Sequence, residues 1–508
     1  MSISKRILAY LPGIILFIIF LIMGLVVYND YGISWDEPLQ RNLGAQTWDY
    51  IFGGNRDLFQ SRDRCYGPAF ELPLMFIERA FHLTDTRDVY LARHLTEHVL
   101  FLLSALSFYI LAYRLFRNRF IAVLAFLLIA CFPRFYAHSF FNSKDTPLMA
   151  MFIISFTAIQ VAFEKHRPLF FLIAGLVCGY TASVRIIGFI LVAPVLLFLL
   201  LDRIQGAGQS RSSADLLKKA GVFIGAFLLS FFVWWPFLWS APVHNFNEIF
   251  QLINEQNSTR LTYQSGHQSW TYLPFWLSIT TPILWLICGA GGLVWVVIAF
   301  FKKPMSFVAN TQQRNYLLYL YCFFGPVFIV IYTNSFLYND WRHLYFIYPS
   351  FALCTLWFIE RLLRTKIRSV VIVACGAQVI ASVGFIVLNH PFQQVYFNAL
   401  VSHSEERLNR NYQLDYWGCS FKQGLDYLVG TDKSDTIKIA LSVPPLYNNI
   451  MMLKPEDRKR ILVIDDMAAT DYMLIDNRAG IREDFARFKT VYSVKVQNST
   501  VMSVYKLR

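Results

Sequence analysis

Apolar residues in this chain come in long unbroken runs, not at the spacing of an amphipathic helix or a half-buried strand. Eleven runs are predicted to be helices, at residues 7–28, 93–113, 120–135, 147–163, 168–184, 186–201, 220–238, 277–301, 316–335, 343–360 and 369–389. Crossing the hydrocarbon core of a bilayer takes about 20 apolar residues of helix. The pattern therefore predicts a polytopic α-helical membrane protein. The tightest division is at Arg185, where two runs meet with almost no loop. The first run follows a short basic stretch, MSISKR, and lacks a small-residue cleavage site, so it is expected to remain as a span.

After His390 the pattern changes. Short β-type runs appear at 437–443, 461–465, 472–476, 490–496 and 500–507, interleaved with helical stretches near Phe421–Val429 and Glu483–Phe488. Gln497-Asn498-Ser499 between the last two runs is a hairpin signal. The expected organisation is a membrane domain over 1–390 and a small α/β domain over 391–508, with a long outer loop at 29–92.

Composition agrees with this pattern: of 508 residues 56% are hydrophobic and only 16% charged. The net charge of +13 raises nucleic acid as a partner, but the basic residues sit in short loops. Lys5 and Arg6, Arg114 to Arg119, Lys165 and Arg167, Arg203 to Lys219, Lys302 to Arg314 and Arg361 to Arg368 all fall on one side of the predicted topology. The positive-inside rule makes that side cytoplasmic and accounts for the charge without nucleic acid. Six of the eight cysteines fall in apolar runs, while Cys65 and Cys419 share the opposite side, where a disulfide between them is open.

The unusual polar residues gather on that opposite face. Asp36 and Glu37 follow the first run, Arg93 and His94 begin the second, and Lys144 and Asp145 precede the fourth. Arg185 divides the fifth and sixth. His267 and Tyr272 lie in an outer loop, and Asp340, Arg342 and His343 precede the tenth. Carboxylates offer a general base, and arginines bind phosphate through paired donors. That set suits a lipid-linked phosphate at the membrane surface, with a carboxylate across a cleft to activate an acceptor hydroxyl. The plainer readings are interfacial anchoring for Arg93 and Arg342, a neutralising pair for Lys144 and Asp145, and an ordinary loop histidine for His267.

Three segments, SWDEP (34–38), NSKDTP (142–147) and YNDWRHLYFIYP (338–349), resemble the GT-C membrane glycosyltransferases, in particular the protein O-mannosyltransferase and aminoarabinose transferase branch. The resemblance covers roughly residues 1–390. It implies an inverting transferase that takes a sugar from a polyprenyl-phosphate carrier and passes it to a glycan, lipid or protein acceptor. It implies Asp36 as base, Glu37 beside it positioning acceptor, metal or phosphate, and Asp145 as the second acid. Lys144, Arg185, Arg342 and Arg93 are then the donor-phosphate ligands, with Tyr66, His267, Tyr272 and His343 as acceptor or sugar contacts. Tyr66-Gly67-Pro68 departs from the family, which often has a second proline where Gly67 stands. Some relatives bind a divalent metal, but no metal-type ligand spacing occurs here. The expected location is a bacterial inner membrane, with the N-terminus cytoplasmic and the C-terminal domain periplasmic. The competing class is a transporter or lipid flippase, which more often shows inverted repeats and mid-membrane broken helices.

Overall fold

The computed structural model describes residues 3–204, 212–263, 270–309, 311–333, 335–337, 339–476, 485 and 487–508. The helices begin with α1 (Ile3–Val27), α2 (Glu37–Gly53), α3 (Glu71–Ala80), α4 (Thr86–Phe116), α5 (Arg119–Ala130), α6 (Pro133–Phe141), α7 (Asp145–Lys165) and α8 (Pro168–Val184). They continue with α9 (Val192–Ile204), α10 (Ser213–Val233), α11 (Pro242–Tyr263), α12 (Tyr272–Thr280), α13 (Ile283–Lys302), α14 (Pro304–Ala309), α15 (Thr311–Tyr332), α16 (Tyr348–Leu362) and α17 (Arg368–Leu388).

The apolar pattern predicts eleven spans. Among the described residues eight helices are long and apolar enough to cross a bilayer, or nine if the bent pair α5–α6 is one span. The difference has local causes. Pro133 opens α6 at 57° to α5, so that run is broken. The runs at 168–184 and 343–360 give helices of only 17 and 15 residues, α8 and α16. The second of these spends its first turn as a 3-10 helix, Arg342–Ile347. The bundle closes by α8 packing on α10, α13 on α16, and α4 on α5 and α7. Phe101, Phe108, Phe126, Phe152 and Tyr348 are fully buried at its centre.

Beyond α17 follow α18 (Glu405–Asn411), α19 (Phe421–Thr431), α20 (Pro444–Ile450) and five strands: β1 (Ile437–Ala440), β2 (Ile461–Ile464), β3 (Tyr472–Asp476), β4 (Lys489–Val496) and β5 (Ser499–Lys506). The sheet order is β2-β1-β3-β5-β4, parallel around β1 and antiparallel from β3 outward. Gln497 and Asn498 turn the β4–β5 hairpin with φ of 49° and 66°, the left-handed backbone that a two-residue loop needs to match strand twist. The helix expected near Glu483–Phe488 lies largely outside the described residues.

This α/β part is seated on the stretch that follows α1. The Ile33 amide donates to Asn449 Oδ1 at 3.0 Å, and the Asn449 amide donates back to Ile33 O at 3.1 Å. Trp35 N donates to Trp417 O at 3.0 Å. A Cβ on Gly32 would lie 2.3 Å from Asn449 Oδ1 and 2.4 Å from Cys419 O, so only glycine lets these backbones meet. The disulfide between Cys65 and Cys419 does not form. Both residues are buried, and burial pushes the Cys65 thiol up to about 12.

Candidate active site

The sequence of α2 explains how an acid is presented. Pro38 near its start has no N–H to lose there and presets the backbone, and the helix begins at Glu37. Asp36 occupies the capping position, yet its side chain makes no capping bond. Its carboxylate instead faces outward, about a quarter exposed, 3.6 Å from the Arg342 guanidinium.

Arg342 is the hub. It is buried and also pairs with Asp145 Oδ2 at 3.1 Å. Asp145 is the first residue of α7. Its amide donates to Asn142 Oδ1 at 3.0 Å and the Asn142 amide returns a bond to Asp145 Oδ2 at 3.2 Å, which fixes the turn. A carboxylate there also complements the positive end of the helix. Its other oxygen lies 2.7 Å from Arg185. Arg185 stands in extended backbone (φ −152°, ψ 141°) between α8 and the 3-10 turn Ile186–Leu191. The apolar run thus breaks where the charge is placed.

The opposite wall is aromatic. Arg342 lies over the rings of Trp417 and Tyr416, at 4.5 and 5.0 Å, and donates to Tyr416 Oη at 3.3 Å. Lys144 Nζ sits 3.9 Å from the centre of the Tyr66 ring and does not form the expected contact pair with Asp145, though it remains within electrostatic reach of it. His343 lies within electrostatic reach of Arg342, Asp145, Arg185 and Lys144. Five side chains from four separate helix ends therefore converge, and three cations (Lys144, Arg185, Arg342) face two carboxylates (Asp36, Asp145). The surplus of one positive charge, with donors fanned at the Arg185 and Arg342 guanidinium groups, suits an anion of phosphate type.

Gly67 has a steric role in this site. A Cβ there would lie 1.8 Å from Ser183 O and 3.0 Å from Val184 O. The Tyr66–Ala69 loop is thereby pressed against the end of α8, where Ala69 O accepts from Tyr180 Oη at 2.9 Å. Glycine at position 67 is what allows the loop to pack against the end of α8, just before Arg185.

Other expected site residues lie elsewhere. Glu37 turns inward, where it is 1% exposed, accepts from Ser34 N at 2.6 Å and meets His94 Nε2 at 2.9 Å. It braces the turn below Asp36. Arg93 is a buried partner of Glu71, so its charge is matched within the fold and not offered to a phosphate. Tyr272 donates to Asp340 O at 3.1 Å, a bond that ties the 339–341 loop to α12. His267 lies outside the described residues.

Sequence reading passed over Glu71, Glu97, Asn142, Arg134 and Tyr416. Glu97 had a legible signal: an ionisable side chain inside an apolar span, three residues past His94. Arg134 pairs with Asp340 Oδ2 at 2.9 Å and with Tyr396 O, and holds the loop from which Arg342 springs. Asp340 carries that loop in left-handed backbone (φ 61°), and burial raises its carboxyl above the usual range despite Arg134 and Arg342. Among the described residues no group of three or more His, Cys, Asp or Glu is placed to hold a metal ion.

Residues 81–238 match a family model described as dolichyl-phosphate-mannose-protein mannosyltransferase. The matched segment includes Arg93, Lys144, Asp145 and Arg185. No curated protein matches the chain. Among solved structures, the chain is similar to an archaeal oligosaccharyltransferase, AglB from Archaeoglobus fulgidus, in complex with an inhibitory peptide and a dolichol-phosphate. Identity is 12% and the TM-score 0.44, over 81% of this chain, which spans 61% of that one. It is also similar to ArnT from Cupriavidus metallidurans in the apo state, at 12% identity and a TM-score of 0.45, over 96% of this chain and 97% of that one.

Proposed function

We propose that this chain, a membrane glycosyltransferase of the GT-C superfamily, moves a sugar from a polyprenyl-phosphate carrier to an acceptor hydroxyl in the cleft between Asp36, Asp145 and Arg342. The observation that carries the reading is the ion chain Asp36–Arg342–Asp145–Arg185, assembled from four separate helix ends and left with a surplus cation and one partly exposed acid.

In this reading the acceptor hydroxyl gives its proton to the Asp36 carboxylate as its oxygen attacks the sugar's C1. The bond from C1 to the phosphate oxygen breaks on the opposite face. Its electron pair leaves on the phosphate, and the configuration at C1 inverts. Lys144, Arg185 and Arg342 hold the phosphate and stabilise the charge that grows on it. Asp145, fully buried between them, holds the two guanidinium groups at the cleft. General-base help of this kind is worth about 10²–10⁴-fold.

The cleft lies at the helix ends opposite those carrying Arg114, Lys165, Arg203 and Lys302. By the positive-inside rule those basic ends are cytoplasmic. The cleft and the α/β part over 391–508 then face the periplasm of a bacterial inner membrane, and the catalytic machinery belongs to 1–390. A glycan, a lipid and a protein hydroxyl all meet the needs of the step.

The test is release of polyprenyl phosphate by purified protein in lipid, with a panel of polyprenyl-phosphate sugars and membrane extract as acceptor. Release that depends on Asp36, lost in Asp36→Asn, is the expected result. Folded protein that releases none with any donor points to the flippase class, in which the lipid crosses the bilayer with its phosphate–sugar bond intact.

A further inference from the structure

Two of the groups that hold Arg342 rest in turn on one imidazole. His138 and Asn142 stand four residues apart in α6 and its cap, so they share a face of that helix, and Asp145 follows three residues on. The Asn142 amide nitrogen lies 3.2 Å from His138 Nδ1 and 3.2 Å from Asp145 Oδ2. The His138 ring also meets Trp417 edge to face, with centroids 5.7 Å apart and planes at 89°. Trp417 carries the Arg342 guanidinium at 4.5 Å, and Arg342 reaches Asp145 Oδ2 at 3.1 Å. The contacts close a circuit, from Arg342 through Asp145, Asn142, His138 and Trp417 back to Arg342. His138 is 1% exposed, and no step of the transfer uses it.

The hydrogen bonds fix the state of this imidazole. A backbone N–H only donates, so the Asn142 atom that meets the Asp145 N–H at 3.0 Å is its oxygen. The other end of that amide is then the NH2 group, which only donates, and it faces His138. Nδ1 of His138 therefore accepts and carries no proton, so the ring is neutral with its hydrogen on Nε2. A proton on Nδ1 would set N–H against N–H and release Asn142. The second N–H of the same amide binds Asp145 Oδ2, the oxygen that Arg342 also shares. One neutral ring thus fixes the carboxylate through Asn142 and the aromatic plate directly.

We propose that His138, held as the neutral Nε2–H imidazole, is a positioning residue for the donor-phosphate end of the site. It sets the spacing between Asp145 and Trp417 and so aims the Arg342 guanidinium. The proposal rests on the transferase reading, because the donor phosphate is what Arg342 is aimed at.

Two variants separate the acceptor from the ring. His138→Phe keeps a ring against Trp417 and loses the acceptor for Asn142. His138→Asn keeps an acceptor close to the place of Nδ1 and loses the ring, which leaves a cavity. Purified proteins in nanodiscs are compared by polyprenyl phosphate release and by thermal melting. The Tm is expected to fall further in His138→Asn. The donor KM is expected to rise further in His138→Phe, about fivefold or more against less than about twofold in His138→Asn, with the acceptor KM unchanged in both. A role in folding alone lowers the active fraction and moves neither KM. A donor KM that follows the Tm, or that is unchanged in His138→Phe, overturns the proposal.

The tautomer is read in the wild-type protein, so it does not depend on how either variant folds. With histidine and asparagine isotope-labelled at nitrogen, one histidine is expected to couple through a hydrogen bond to an asparagine side-chain amide and to show an unprotonated Nδ1. A proton on that Nδ1, or no such coupling, overturns the proposal. Release of polyprenyl phosphate that is independent of Asp36 sinks the transferase reading whatever the tautomer. Release that needs Asp36 but keeps the wild-type donor KM in His138→Phe removes His138 alone.

Discussion

Asp36 and Glu37 are neighbours in sequence with opposite surroundings. The first opens onto a cleft with three cations, close to one of them, and keeps a quarter of its surface exposed. The second points into a closed cluster where His94, Arg93, Glu71 and Glu97 are all buried. In the closed cluster Arg93 pairs with Glu71, and Glu37 is held by His94 and the Ser34 amide. In the cleft the charges do not cancel and the acid has no capping bond to satisfy it. Adjacent carboxylates are thus divided by one step of helix, one facing the cleft and one holding the turn in place. The burial and pairing of each, and not the residue type, distinguishes the roles.

Paired substitutions break this comparison most sharply. Asp36→Asn is expected to lower turnover by about 10³-fold, within the span of general-base effects, with an unchanged Tm. Glu37→Gln is expected to do the reverse. Weakening a buried charge-assisted hydrogen bond costs about 1–3 kcal/mol of stability, while the folded fraction keeps turnover within tenfold of wild type. Matched losses of turnover in both, at equal stability, would erase the division. Purified variants compared by polyprenyl phosphate release and thermal melting decide it.

Arg342 joins the two halves of the ion chain, so its replacement separates charge from shape. Arg342→Ala leaves Asp145 with one partner fewer in a buried site, a change worth about 3–5 kcal/mol when an ion pair is broken one-sidedly. Low yield of that variant is expected. Arg342→Lys retains the charge but not the forked donors or the stacking on Trp417. It is expected to fold and to raise the donor KM about tenfold or more, with a smaller effect on the acceptor KM. An unchanged donor KM in Arg342→Lys removes the residue from phosphate binding.

Gly67→Ala sharpens the comparison from a distance. Its Cβ would collide with Ser183 O two residues before Arg185, so the Tyr66–Ala69 loop and the end of α8 must separate. Turnover is expected to fall about tenfold, less than the roughly 10²-fold that a full 1 Å misplacement can cost. The Tm effect is expected to be smaller than that of Glu37→Gln, because only the cleft side is disturbed. Full activity in Gly67→Ala would show that the loop does not hold Arg185 in register.

Much of this was legible in the chain. Helices appear at the apolar runs because length and hydropathy alone decide membrane insertion. Asp36, Lys144, Asp145, Arg185 and Arg342 converge as their positions at run ends suggested. What could not be read was direction. Neither Glu37 nor Arg93 carries a sequence mark saying which way it faces, since that depends on Glu71 and His94 arriving from other helices. Trp417 and Tyr416 complete the cleft from more than 70 residues beyond Arg342, a distance across which periodicity says nothing. The bend at Pro133 and the 3-10 turn Arg342–Ile347 are backbone events that an apolar count does not register.

The smallest expected effect lies at the rim, where the α/β part meets the loop before α4. Arg458 donates to both oxygens of Asp85, at 3.2 and 3.3 Å, and Asp85 caps α4 through the Arg87 amide. Burial raises the Asp85 carboxyl, but the Arg458 bond and the Arg87 amide outweigh it and hold it below the usual carboxylate range. A depressed pKa contributes stability that is present above the unfolded value, about 3.9, and is lost as pH falls through the folded one. The docking contact is therefore expected to be intact at pH 7 and to weaken below about pH 4, by less than about 1 kcal/mol because both groups are partly solvated. Hydrogen exchange across residues 444–464 measures it. Protection that drops on acidification in wild type, and that is lower and flat with pH in Arg458→Ala, is the expected pattern. Equal pH dependence in both proteins would place the acid-sensitive contact elsewhere than at Asp85.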